Sequence, residues 1–560
     1  MKKFLISILM VLALCIPATT SAEFFSDIIV TSPDGIWTDE RAYSSLEDAI
    51  SAVGSSNRTI VVASEEVVTD LTIPSNVALD FKRGGKITYS GHLTINTTNI
   101  SAPSQPIFNP TGSGEADFAR GTELRSAWFN NLNEMFDQTV DNYVTVIINS
   151  GWAASVTADA TVGDNVTLKW EGPGQRIVVN SGFTLSNVKN ISAGSYRIFG
   201  GSGDIDFKTG SVLRTSWFDS FRSAVSYVDD EDVNLTLIVD GVCTVDTNTA
   251  TDEYINLQFE NGALLSPAAG VTVTINGPVE AGLYQIFSGD GSVRGLSIAE
   301  VQWWGADDTG SVDCTSVINK IIDTGVREIH MRGSFKIVGT IDLEDHSWVR
   351  FVGNKGRSSI VHAPTAPDTD CFSFSSTGGY QHGNGIENIT ITSSTSNSRH
   401  LIHLHSQARF KMESVYCNGG DVATTGLWIK GGMFGEYRGV WLYDFAGPAL
   451  EIDEAATTTT QDFYSCVMES SDWGMQIDKA ESVSFYGCTI ESNISGGAKI
   501  GETKSASVNY QSCHFENNGT GGSGLDIRVG VAASPEVSYL SISDSSLLGS
   551  GARDQAIDVY

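Results

Sequence analysis

Cys466-Val467-Met468-Glu469, Cys488-Thr489-Ile490-Glu491 and Cys513-His514-Phe515-Glu516 are three copies of one four-residue pattern, spaced by 22 and 25 residues. A second series runs out of phase with it. Gly426-Leu427-Trp428-Ile429, Ala449-Leu450-Glu451-Ile452, Gly474-Met475-Gln476-Ile477, Ala498-Lys499-Ile500 and Gly524-Leu525-Asp526-Ile527 recur every 23–27 residues. Several short alternating strands per period, with turn residues between them, define a β-solenoid. One turn of such a coil cannot bury its apolar face alone. Stacked turns bury a continuous core, with rungs ~4.8 Å apart. Alternation then points Cys466, Cys488 and Cys513 inward beside Met468, Ile490 and Phe515. It points Val467, Thr489 and His514 outward.

Upstream the repeat is longer. Trp37, Trp128-Phe129, Trp217-Phe218 and Trp303-Trp304 are spaced by 91, 89 and 86 residues. Ile107-Phe108, Ile198-Phe199 and Ile286-Phe287 keep the same beat, and Leu124–Phe129 is nearly repeated at Leu213–Phe218. Helical patterns follow the tryptophans at Ser45–Val53, Phe221–Val228 and Val317–Ile322, and each leads into a β-branched strand. The expected organisation is three modules, 23–127, 128–216 and 217–302, followed by a regular coil over 303–560. The fold class is all-β, a right-handed parallel β-helix with short capping helices in the N-terminal modules.

The chain has 560 residues, with 34 Lys+Arg against 66 Asp+Glu and a net charge of −32. Such a surface repels phosphate, so nucleic acid is excluded as a partner. Lys2-Lys3, the apolar run Phe4–Ile16 and Thr20-Ser21-Ala22 read as a signal peptide over residues 1–22, with no membrane insertion, which implies a secreted or cell-surface protein. Seven cysteines follow it without CxxC or zinc spacing, and stacked core thiols are the expectation for Cys466, Cys488 and Cys513.

Trp304-Gly305-Ala306-Asp307-Asp308-Thr309-Gly310-Ser311-Val312-Asp313-Cys314-Thr315-Ser316-Val317-Ile318 resembles the opening motif of the pectate-lyase-like superfamily of parallel β-helix proteins. That group includes phage tailspike depolymerases and polygalacturonase-related proteins. In this copy Cys314 stands where the family often has a second Asp. The resemblance implies the scaffold, a polysaccharide partner and a homotrimer. It does not extend to the polygalacturonase signature, of which Gln381-His382-Gly383 is only a fragment.

Counting back from the recurring apolar residue exposes a ladder of acids, Asp421, Asp444, Glu469, Glu491 and Glu516, spaced by 23, 25, 22 and 25. On a solenoid these stack along one edge, with neighbours ~5 Å or ~10 Å apart. Retaining glycosidases hold two carboxyls ~5 Å apart and inverting ones ~6.5–9.5 Å. Hard carboxylate oxygens would also suit Ca²⁺, the cofactor expected only of a lyase. Ordinary solvated turns account for the same acids. The catalytic candidates are Asp444, Glu469 and Glu491. Trp428, Trp441 and Trp473 are the candidate sugar-stacking rings, expected to be exposed, with Arg438 a candidate substrate-binding cation. His400, His403 and His405 cluster, and His403 and His405 share a strand face. They would hold a metal if a third ligand existed, and none is legible, so no metal is assigned. The last coil, from Asp554 to Tyr560, ends on an open edge, as expected of a fragment or of an edge covered by another chain. The function expected is recognition and cleavage of an extracellular polysaccharide, by hydrolysis rather than elimination. The alternatives are a non-catalytic adhesin or tailspike-like receptor-binding protein, or a structural surface protein.

Overall fold

A computed structural model describes residues 31–32, 35–39, 43–149, 155–228, 233–501, 506–521, 525–530, 539–548 and 555–559. The expected signal segment and Cys15 lie outside them. No helix among the described residues is long and apolar enough to cross a membrane. The chain divides into two compact units, residues 1–219 with 226–236, and residues 220–225 with 237–560.

Both units are built from parallel β-solenoid coils, and the all-β architecture expected from the periodicity is the one found. In the first unit, short strands form three parallel sheets per module. An example is Thr145–Ile148 against Thr167–Trp170, with Ile177–Val179 and Thr184–Val188 supplying the other two faces. Helices lie at Leu46–Val53 and Leu132–Thr139. The second has no counterpart among the helices expected above. Ser45 and Asn131 cap them, accepting hydrogen bonds from the amides of Asp48 (3.1 Å) and Glu134 (2.9 Å).

The long repeat has a packing cause. Phe108 packs on Phe129 and Phe199 on Phe218, with ring centroids 5.6 and 5.5 Å apart. The amides of Ile107 and Ile198 donate to the carbonyls of Trp128 and Trp217 at 2.9 and 3.1 Å. In the second unit the third copy repeats this, with Phe287 on Trp304 at 4.7 Å and Ile286 N–H on the Trp303 carbonyl at 3.0 Å. The spacing of the Ile-Phe and Trp pairs is therefore the spacing of one aromatic joint.

The opening motif acts as a cap. The Asp307 carboxylate accepts from Thr309 Oγ1 (2.7 Å) and from the amides of Ser311 and Val312 (both 2.8 Å). The Thr309 bond, then the Val312 amide, hold its pKa down at about 2. Asp313 does the same for Thr315 at the head of the helix Thr315–Ile322, and for the Val338 amide one coil further on (3.1 Å).

From Glu328 onward each rung of the second unit visits three faces in turn. Face A contains Glu328–Met331, Arg350–Gly353, Gly385–Glu387 and Lys411–Glu413, and later Ala480–Tyr486 and Ala506–Gln511. Face B is a ten-stranded sheet running from Thr309–Asp313 to Ser546–Leu548. Face C contains Phe372–Phe374, His400–Ala408, Trp473–Ile477 and Gly496–Ile500. Thr425–Arg438 and Pro448–Tyr464 run through the corner between faces C and A without a break, which joins those two faces into one sheet.

The core stacks like on like. Tyr437, Phe463, Phe485 and Tyr510 form a column of parallel rings with centroids 4.3, 4.8 and 5.0 Å apart. Cys466, Cys488 and Cys513 are buried free thiols, as the stacked-thiol reading expects. Their Sγ atoms donate to the carbonyls of Tyr437, Phe463 and Phe485 at 3.3–3.4 Å.

Candidate functional site

Face B carries two outward columns. The first is Tyr416, Trp441, Val467, Thr489 and His514. The second is Asn418, Tyr443, Glu469, Glu491 and Glu516. Between them Leu442, Met468, Ile490 and Phe515 point into the core and are fully buried. Trp441 is 43% exposed and meets Tyr416 edge-on at 5.3 Å. An open indole, with Tyr416 and Tyr443 beside it, therefore sits on the rung that precedes three glutamates in consecutive register. Adjacent members of that column are one rung apart, ~4.8 Å, and its ends two rungs apart.

The backbone beneath the glutamates is fixed by a turn that repeats. Asp444, Ser470, Ser492 and Asn517 end their strands in the left-handed region, with φ of 63°, 56°, 56° and 52°. The amides of Asp444, Ser470 and Ser492 donate to the carbonyls of Glu469, Glu491 and Glu516 at 3.1, 3.2 and 2.9 Å. A polar column follows inside the turn. Asn493 donates to the Met468 carbonyl (3.2 Å) and to Asn518 Oδ1 (2.9 Å), and Asn518 to the Ile490 carbonyl (2.9 Å). Both asparagines are completely buried, so these bonds lock the rungs that carry the acids.

Glu491 sits in the middle of the column. Burial, then the charges of Glu469 and Glu516, raise its pKa above the ordinary 4.5. His514 Nε2 lies 3.0 Å from Glu516, and its Nδ1 lies 2.6 Å from Ser546 Oγ. Glu516 thus has a partner of its own, and Glu491 is left between two carboxylates.

The expected acid ladder is corrected at Asp444. The residue opposite Glu469 is Tyr443, so Asp444 falls one step beyond the column, aligned with Ser470. The cause is turn length. Tyr443 precedes Leu450 by seven residues and Glu469 precedes Met475 by six, although both pairs are in register. Asp444 pairs instead with Asp421, whose amide donates to the Asp444 carbonyl (2.8 Å). Burial, then the Asp421 charge, raise its pKa. The last apolar repeat is corrected likewise, since Ala498 is in register with Ile527 rather than Leu525.

The remaining candidates lie on other faces. Arg438 ends a face A strand, where its guanidinium bonds Glu436 and lies 4.1 Å over the Tyr464 ring. Trp428 and Trp473 are on face C, and neither is the open ring expected. Trp428 is 6% exposed, stacked against His400 and His403 with centroids 4.3 and 4.4 Å apart, and flanked by Arg399 and Lys430. Trp473 is 7% exposed and lies over Gly496, where a Cβ would come within 2.4 Å of the indole. Its indole forms part of the lining of an open depression of about 390 Å³ with Ile494, Ser495, Lys499, Gly521 and Arg528. An outward strand position does not guarantee exposure, because side chains on neighbouring rungs cover it.

One cluster was only half legible in sequence. Asp370, just before Phe372–Phe374, meets two histidines of the next rung, with Oδ1 at 2.8 Å from His400 Nδ1 and Oδ2 at 2.9 Å from His403 Nδ1. His403 pairs here with His400 through the aspartate, and His405 stacks alongside at 6.3 Å. The missed partner lies 30 residues upstream of His400 in a stretch without strand pattern, so only the rung period could have pointed to it.

No protein-family model and no curated protein matches the chain. Among solved structures it is similar to a protein described as Geobacillus virus E2 ORF18, with 14% identity and a TM-score of 0.28. The likeness covers 45% of this chain and 60% of that one, so the chain spans less than two thirds of that protein's length. At that level it leaves function to be argued from the site.

Proposed function

We propose that this chain is an exported solenoid protein that binds a polysaccharide on face B and hydrolyses it there. The carrying observation is the in-register column Glu469–Glu491–Glu516 beside the exposed Trp441. An indole face offers a flat apolar platform to a pyranose ring. Adjacent rungs start the two glutamate side chains ~4.8 Å apart at the backbone, within reach of the carboxyl separation of a retaining glycosidase. Glu491, which holds its proton more tightly than an ordinary glutamate, donates it to the glycosidic oxygen. Glu469 attacks the anomeric carbon, and water, deprotonated by Glu491, releases the sugar. Asp444 borders the column and positions substrate.

The test is incubation of the purified chain with a panel of acidic and neutral polysaccharides, following reducing ends and the ultraviolet absorbance of unsaturated products, with and without EDTA. New reducing ends, lost in Glu469→Gln and Glu491→Gln, are the expected result. Retention on one polysaccharide without cleavage would leave a binding protein of the adhesin or tailspike type. Unsaturated products abolished by EDTA would replace hydrolysis with a Ca²⁺-dependent lyase.

A further inference from the structure

We infer that Asp370, His400 and His403 form a binding site for one divalent transition-metal ion of the zinc class, stapling two rungs of face C. One donor atom from each residue lies within 4.8 Å of the other two. A tetrahedral ion with bonds of about 2.1 Å holds neighbouring donors roughly 3.4 Å apart. The two Nδ1 atoms lie 2.8 and 2.9 Å from Oδ1 and Oδ2 of the one carboxylate, so the three side chains already face one another and small rotations aim one donor of each at a shared point. Two imidazoles and one carboxylate are a donor set that suits zinc, copper, iron and nickel and disfavours calcium and magnesium.

Charge points the same way. Asp370 and His400 are 15% and 4% exposed at their side chains. A largely buried carboxylate held between two largely buried imidazoles is a place where a divalent cation compensates the charge. The surroundings are built for a fixed position. Thr340 Oγ1 donates to the Asp370 carbonyl (2.9 Å) from the preceding rung, and the Trp428 indole closes over both imidazoles. With three protein donors and a covered approach, the ion is a structural clip with water in the fourth place. Because Asp370 and the histidines come from successive rungs, binding the ion is worth stability only to the folded coil.

The test is calorimetric titration of the EDTA-dialysed full chain with Zn²⁺ and Co²⁺, with thermal unfolding alongside. One ion per chain and a raised unfolding midpoint are expected. His400→Ala/His403→Ala weakens binding at least ~100-fold and abolishes the rise. His405→Ala, outside the trio, keeps both. Asp370→Asn retains the side-chain shape and weakens binding at least ~10-fold, which covers the case of a double variant that fails to fold. Absence of stoichiometric binding by the full chain, or undiminished binding in Asp370→Asn and the double variant, overturns the assignment.

Discussion

Trp428 and Trp441 occupy outward strand positions on consecutive strands of the same coil, and their environments are opposite. Trp428 is walled in by imidazoles and cations on face C, whereas Trp441 touches Tyr416 and leaves much of its ring in solvent. On a solenoid every outward side chain has a neighbour one rung below and one above. What those neighbours are decides whether a ring is structure or surface. His403 below Trp428 is a flat partner that stacks, while Val467 beyond Trp441 is short and leaves the indole open.

Alanine at the two tryptophans breaks this contrast most directly. Trp428→Ala removes a buried ring and is expected to cost about 3–5 kcal/mol, read by denaturant unfolding. Trp441→Ala is expected to cost about 0.5 kcal/mol and to show instead in polysaccharide affinity. Equal costs would mean that face B is as closed in solution as face C.

A smaller effect is expected beneath the acids. Asn493→Ala strands the Ser471 amide in a buried turn, removes the bond to the Met468 carbonyl and costs about 1–3 kcal/mol. An intact midpoint in that variant would show that the asparagine column does not lock face B.

The smallest effect comes from Glu491. Its folded pKa is raised, so the folded chain binds a proton more readily than the unfolded one, and its contribution to stability falls as pH rises above about 4.5. Glu491→Gln should therefore raise stability near neutral pH by roughly 0.5 kcal/mol or less, discounted for partial exposure. The gain should vanish below the ordinary carboxylate range. A gain that is the same at every pH would remove carboxylate crowding as its cause.

Much of the fold was legible. The Cys-x-apolar-Glu series reports one strand position per rung, and its three copies fall in register as spaced. The Ile-Phe and Trp pairs mark one aromatic joint each time. The candidate site was partly legible. Trp441, Glu469 and Glu491 lie on face B on successive rungs, while Arg438, Trp428 and Trp473 belong to other faces and Asp444 slips by one position.

By itself the sequence determined the coil, its period and the inward face, because alternation and repetition are local properties that every rung must satisfy to bury its core. Only the tertiary structure decided which outward residues meet. Turn lengths change from rung to rung, as between Tyr443 and Leu450 and between Glu469 and Met475, and one residue of difference moves a side chain off its column. Asp370 finds His400 and His403 across a rung boundary for the same reason, since neighbours on a solenoid are set by register between coils rather than by distance along the chain.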